Sequence, residues 1–236
     1  MDWTVEDIAR MIDHSLLTPA LTDEELRAGC RLAKEYDVAS VCIKPYAVRM
    51  AVEELDGSNV AVGTVIGFPH GSHVTGIKVA EAKEAMNEGA VELDMVANIG
   101  KVRSGEWGYV QDDIASVVMA AHHCRAIVKV IFENCFLEDE HKIKLCEICT
   151  QAEAHFVKTS TGYGYIKTDS GYVYGGATDH DLKLMRNHSG PEVQVKAAGG
   201  VRTLDRLLEV RALGVTRVGA SATQAILDEA KERCSG

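Results

Sequence analysis

The residues best equipped for chemistry in this sequence are charges set inside apolar runs. Glu92 and Asp94 lie two apart in VELDMV (91–96), Lys129 interrupts AIVKVIF (126–132), Lys158 ends HFVK (155–158), and Lys196 stands in VQVKA (193–197). A lysine is rarely buried without a reason, because an unpaired ammonium in a poorly solvated interior is very costly. Two neighbouring ammonium groups served by one carboxylate lower each other's proton affinity, so a neutral amine becomes available near neutral pH. Such an amine attacks a carbonyl to form a Schiff base, an electron sink for making or breaking the adjacent carbon–carbon bond. Asp94 would then move protons, directly or through water, together with the second lysine. This chemistry calls for no metal and no cofactor. The plainer reading makes these lysines salt-bridged spacers or turns them outward. For Lys158 and Lys196 it is the weaker one, since a glycine-containing loop follows each.

The elements that must hold these side chains recur along the chain. Short β-branched runs occupy 38–43, 60–66, 91–96, 126–132, 155–158, 193–197 and 216–218, with starts 22, 31, 35, 29, 38 and 23 residues apart. Each interval is the length of one strand-loop-helix-loop unit. Between them lie amphipathic patterns such as Leu26, Cys30 and Ala33, or Leu204, Leu207, Leu208 and Arg211. Thr22 with Glu25 forms a capping box, and Thr178 and Thr203 are expected N-caps. Seven such units predict a closed (β/α)8 barrel (a TIM barrel) as a single domain over 1–236. The eighth strand is expected at 11–16 (MIDHSL), after a short helix at 4–9. An open doubly wound sheet lacks its marks: no G-x-G-x-x-G follows the first strand, and 71–78 has Ile77 where a phosphate-binding loop needs lysine. In a barrel, alternate strand residues face the axis, and active sites form at the carboxyl ends of the strands.

Composition narrows the partners. The 46% hydrophobic content and mean hydropathy of -0.05 fit a globular core, and no apolar run reaches the ~18–20 residues of a membrane span. A net charge of -10 argues against nucleic acid, which needs a basic face. An acidic N-terminus and seven cysteines read as reduced thiols place the expected location in the cytoplasm. Cys146 and Cys149 have C-x-x-C spacing, but no second pair follows and the segment is amphipathic, so they read as core residues. His70 and His73 lack a third ligand in evident spacing, and His122-His123 at a helix end suits the helix dipole.

Three loops point to a phosphorylated substrate. Ser160-Thr161-Gly162 follows Lys158, Gly199-Gly200-Val201-Arg202 follows Lys196, and Gly219-Ala220-Ser221 follows the last strand. Glycines admit a phosphate close to the backbone, helix N-termini aim N–H groups at it, and serine adds a donor.

With these segments in view, the chain resembles the deoxyribose-phosphate aldolase family of class I aldolases. The similarity runs through IDHSLL (12–17), VGTVIGFP (62–69), ELDMVANIG (92–100), VKVIFE (128–133), FVKTSTG (156–162), VKAAGGVRT (195–203) and GAS (219–221). It implies a (β/α)8 barrel, often a homodimer, that reversibly cleaves 2-deoxy-D-ribose 5-phosphate to D-glyceraldehyde 3-phosphate and acetaldehyde in deoxynucleoside catabolism. On matching positions, Lys158 would form the Schiff base, Lys196 would perturb its proton affinity, and Lys196, Asp94 and a water would relay protons. Asp13 and Lys129 would support the polar pocket and Cys42 would line it. Thr161 would contact a substrate hydroxyl, and Gly162, Gly199, Gly200, Gly219 and Ser221 would hold the phosphate.

The chain departs from the family pattern at several points. Tyr163 replaces a lysine found in some members directly after T-S-T-G, and Ala222 replaces a serine. Lys44 stands where members vary. The stretch 165–174 (YIKTDSGYVY) reads as an insertion on the catalytic side. It is expected to be a surface hairpin turning at Asp169-Ser170-Gly171, with a lid over the acceptor pocket as the sharper reading. That insertion keeps open a Schiff-base aldolase with another aldehyde acceptor. A catalytically silent sugar-phosphate-binding barrel is the reading from a different class.

Overall fold

The seven β-branched runs and the 11–16 segment pair in parallel because each is delivered to its neighbour by a helix that crosses back over the sheet. In the computed structural model, which describes residues 3–235, the strands are β1 (Ile12–Leu16), β2 (Ser40–Ile43), β3 (Ala61–Ile66), β4 (Glu92–Val96), β5 (Ile127–Ile131) and β6 (Phe156–Lys158). A separate antiparallel hairpin, β7 (Tyr165–Thr168) and β8 (Gly171–Tyr174), intervenes before β9 (Gln194–Ala198) and β10 (Arg217–Ala220). The parallel strands close in the order β1-β10-β9-β6-β5-β4-β3-β2. The expected barrel, its eighth strand near residues 11–16 and the hairpin are all present.

The helix starts follow local chemistry. Thr4 caps Val5–Ala9 and Thr22 caps Asp23–Glu35, each through a full capping box with Asp7 or Glu25. Thr178 and Thr203 accept from the N–H groups of Asp181 and Arg206 at the starts of Asp179–His188 and Leu204–Ala212. The longest helix among the described residues, Trp107–His123, ends on His122 and His123, and His123 Nδ1 lies 2.6 Å from the Met119 carbonyl of its last turn. No helix among the described residues is long and apolar enough to cross a membrane.

Strand alternation divides the molecule into two environments. Outward-facing residues such as Val41, Val62, Leu93, Val128, Val157, Val195 and Val218 are buried against the helices in one continuous apolar layer. Inward-facing positions carry Asp13, Cys42, Glu92, Asp94, Lys129, Lys158 and Lys196, all at most 3% exposed. The apolar layer holds the barrel closed, while its lining is left for charge.

Other residues singled out by the sequence settle into structural roles. Cys146 and Cys149 are buried free thiols in Asp139–Gln151, and burial pushes Cys146 up to about 11 and Cys149 well above the ordinary thiol range. Lys78 is fully buried and bonds Asp113 at 2.5 Å and the Val96 carbonyl at 2.9 Å, so the phosphate-loop-like stretch ends in a structural ion pair. Lys44 donates to the Leu21 carbonyl at 2.9 Å. His70 and His73 are both exposed. Among the described residues, the three-ligand group within metal-binding reach is Asp139, His180 and Asp181, where Lys142 already bonds both aspartates.

His14 faces outward from β1 into the helical layer, where its Nδ1 lies 2.8 Å from the Thr223 hydroxyl. Burial lowers its proton affinity to about 4. The unfolded chain therefore binds a proton more readily, and this contribution to stability is present above about pH 6.5 and fades as pH falls toward 4. Denaturant unfolding at pH 6.5 and 5 should show the wild type losing on the order of 2 kcal/mol more than His14→Asn, which cannot take up the proton. Equal losses would mean that His14 is not the titrating group.

Candidate active site

Register fixes the centre of the site. Asp94 on β4 pairs with Lys129 on β5, and Lys158 on β6 pairs with Lys196 on β9, so four inward-facing charges arise on four barrel strands. Asp94 joins them. Its Oδ2 accepts from Lys158 Nζ at 2.6 Å and from Lys196 Nζ at 2.7 Å, while its Oδ1 lies 3.1 Å from Lys129 Nζ, outside hydrogen-bonding geometry. Asp13, on β1, bonds Lys196 and also takes Lys129 at 2.9 Å. Below them, Glu92 takes Lys129 at 2.5 Å and Arg217 at 2.7 Å, and Arg217 reaches Asp13 at 2.7 Å.

Within this network four cations (Lys129, Lys158, Lys196, Arg217) face three carboxylates (Asp13, Glu92, Asp94). One positive charge is in excess in a place where water cannot screen it. Asp13 and Asp94 resist desolvation only because the surrounding ammonium groups hold both carboxyls well below the usual carboxylate range. The lysines divide unequally. Burial disfavours the charge on Lys158, but Asp94 outweighs it and holds that amine above the ordinary lysine value. For Lys196, burial and the neighbouring Lys129 and Lys158 win over Asp13 and Asp94, and its proton affinity falls.

The sequence reading made Lys158 the amine that loses its proton easily; in the structure the surroundings lower the proton affinity of Lys196 and raise that of Lys158. Asp13 and Lys129, both expected to support the pocket, act on Lys196 directly, and Arg217 bonds Asp13.

Above the charges opens a cavity of about 430 Å³. Lys158, Lys196, Asp13 and Cys42 reach its floor, and Thr161, Gly162, Gly199, Gly200, Gly219 and Ser221 line its walls with Arg202. Asp94 and Lys129 do not line it; they stand behind the two amines. Cys42 donates weakly toward Asp94 at 3.9 Å, and burial with that carboxylate pushes its thiol up to about 11. Thr161, expected to contact a substrate hydroxyl, lines the cavity and also has protein partners. Its hydroxyl and N–H both bond Glu133, and the hydroxyl accepts from the Tyr163 N–H at 2.9 Å. These bonds brace the loop after β6.

Sequence reasoning missed Glu133 and Arg217. Glu133 ends the run 126–132 with φ +58, a left-handed conformation uncommon for a non-glycine residue, and burial raises its carboxyl despite the Thr161 bonds. A charge at the carboxyl end of a barrel strand was its signal; for Arg217 it was an arginine inside a three-residue apolar run. Tyr163 fills the position after T-S-T-G, donating to the Leu17 carbonyl at 2.9 Å and meeting Phe68 edge-on with ring centroids 5.6 Å apart.

The hairpin is more than a surface feature. Tyr165 and Tyr174 line the cavity, and their rings meet at 5.9 Å. Tyr174 crosses the β9 loop so closely that a Cβ on Gly199 (φ +88) would fall 2.0 Å from its hydroxyl, so position 199 requires glycine. The surface hairpin and the pocket wall are one element.

This centre has counterparts in known proteins. The model of the family described as DeoC/LacD family aldolase matches residues 5–227. The chain belongs to the DeoC/LacD family of aldolases. As an aldolase it is a carbon–carbon lyase. It is 54% identical to the deoxyribose-phosphate aldolase of Rhodopirellula baltica, over 98% of this chain and 92% of the relative. The deoxyribose-phosphate aldolase of Caldanaerobacter subterraneus is 47% identical, over 98% and 96%. The solved structure of deoxyribose phosphate aldolase from Aeropyrum pernix, described as a unique tetramer, superposes with a TM-score of 0.86 at 28% identity, covering 98% of this chain and 93% of that one.

The charge balance of this aldolase has a measurable consequence. Lys129→Met removes the surplus cation, leaving Lys158, Lys196 and Arg217 against Asp13, Glu92 and Asp94, and takes a repelling charge away from Lys196. Lys196 should then hold its proton more firmly, and the pH profile of the aldolase reaction should move to higher pH than in wild type. An unmoved profile would show that the charge on Lys129 does not reach the two amines.

Proposed function

We propose that the chain works as a single catalytic domain that reversibly cleaves 2-deoxy-D-ribose 5-phosphate to D-glyceraldehyde 3-phosphate and acetaldehyde through a Schiff base on Lys158. The observation that carries this reading is the single oxygen, Asp94 Oδ2, shared by the Lys158 and Lys196 amines beneath the cavity. Lys158 is the better nucleophile by position, since it is 3% exposed and Lys196 not at all.

At rest Lys158 holds its proton and Lys196 gives its own up more easily. Passing the Lys158 proton across Asp94 Oδ2 to Lys196 makes Lys158 neutral without any net uptake or release. The neutral amine adds to the open-chain aldehyde, loses water and becomes an iminium. The Lys196 ammonium gives its proton to the departing water and, an amine again, takes the proton from the hydroxyl beyond the bond to be broken, through Asp94 and a water. That bond's electron pair flows into the iminium, releasing glyceraldehyde 3-phosphate and leaving the enamine of acetaldehyde. Reprotonation of the enamine carbon and hydrolysis free acetaldehyde and restore Lys158. The imine is the electron sink, so the scheme asks nothing of a metal or cofactor.

In this reading Asp13 and Lys129 keep the floor charges in place, Cys42 walls the aldehyde, and Gly162, Gly199, Gly200, Gly219 and Ser221 receive the phosphate. A role in deoxynucleoside catabolism and self-association belong to the same proposal; the relatives' activity and the A. pernix tetramer support them. The hairpin tyrosines on the cavity wall favour a second reading, an aldolase of the same mechanism with another acceptor, which cleavage rates for several sugar phosphates would distinguish.

Borohydride reduction with acetaldehyde, followed by peptide mapping, should place the label on Lys158 and lose it in Lys158→Met. Label on Lys129 or Lys196 would overturn the assignment. Lys196→Met removes the proton acceptor, so Lys158 keeps its proton longer. Imine formation in that variant should be slow at pH 7 and recover as pH rises. A pH profile parallel to wild type would remove Lys196 from the proton path.

A further inference from the structure

Positive charge is unevenly spread around the cavity. Of the cations lining it, Lys158 and Lys196 are bound to Asp94 on the floor, which leaves Arg202 at the rim. Tyr163, directly after T-S-T-G, carries no charge and its hydroxyl is engaged with Leu17.

The hairpin register supplies what the barrel loops do not. Tyr165 pairs with Tyr174 and Lys167 with Tyr172. Cross-strand partners project to the same side of a hairpin, as do residues two apart along one strand. Since Tyr165 and Tyr174 line the cavity, the side they share is the one that carries Lys167 and Tyr172. Lys167 is exposed and makes no ion pair among the described residues. The hairpin is also held in place. Its base closes through the Gly175 N–H on the Gly164 carbonyl at 2.9 Å, and the Ala177 N–H bonds the Gly199 carbonyl at 3.0 Å. It therefore stands on the loop that the proposed function gives to phosphate. Lys167 lies about 7 Å farther out than Tyr165 along the strand, a gap that its flexible four-carbon stem can fold back across.

We propose that Lys167 is a specificity residue that meets the anionic end of a phosphorylated substrate from the hairpin side, with Tyr165 and Tyr174 forming the wall beneath it. This rests on the aldolase reading above, and the test separates the two. Cleavage of 2-deoxyribose 5-phosphate and of unphosphorylated 2-deoxyribose is measured for wild type, Lys167→Gln and Lys167→Arg. For the phosphorylated sugar, Lys167→Gln should raise KM about fivefold with kcat unchanged, and the effect should shrink as salt rises. Lys167→Arg should restore KM, and neither variant should move KM for the unphosphorylated sugar. An unchanged KM in Lys167→Gln, or an equal rise for both sugars, would overturn the role of Lys167 while leaving the aldolase standing. A wild type that cleaves neither sugar would overturn both.

Discussion

The constraint on which the rest depends is an unbalanced charge count in a closed, poorly solvated barrel. Lys129, Lys158, Lys196 and Arg217 share three carboxylates, and of these seven side chains only Arg217 keeps more than a trace of exposure. An interior of this kind tolerates paired charges and penalises the odd one. The surplus can leave only as a proton, and Asp94 Oδ2 is where two of the ammonium groups converge. In the proposed mechanism the reactive amine needs no special residue, only one more cation than the site can neutralise.

Such a lining is unfavourable for folding by itself, and the fold is arranged to offset it. Stability resides in the apolar layer between strands and helices, where Val41, Leu93, Val128 and Val218 are fully buried. Parallel strands have two buried faces, and here one is apolar while the other is ionic. The strands also hold the amines in register. Lys158 and Lys196 are direct partners across β6 and β9, so their spacing is set by backbone pairing and not by flexible side chains. Rigid elements suit a proton path, which fails if donor and acceptor drift apart.

Much of this was legible in the sequence because strands and helices have local signatures. The spacing of apolar runs revealed the barrel, and charges inside those runs revealed Glu92, Asp94, Lys129, Lys158 and Lys196. What stayed hidden depends on sums over distant residues. The proton affinity of Lys196 depends on Asp13, 183 positions away, which Arg217 bonds in turn together with Glu92. The family resemblance gave Thr161 a substrate contact, which says nothing of its other partners. Only the fold shows Glu133 engaging it. The hairpin was visible as an insertion, yet which side of it faces the cavity is a matter of register.

The floor and the rim of the cavity are therefore built under different rules. On the floor, a change at any of seven charged residues alters the proton affinity of the others, so the chemistry is locked to the whole set. At the rim, the β6 loop is braced by Glu133 through Thr161, and the hairpin is added beyond that brace, joined to the β9 loop by backbone contacts at Gly199 and Ala177. Residues on the outer arms, such as Lys167 and Tyr172, can vary without touching the amines. A barrel aldolase of this design can change what it accepts through ten residues of hairpin, while the proton chemistry beneath stays fixed by strand pairing.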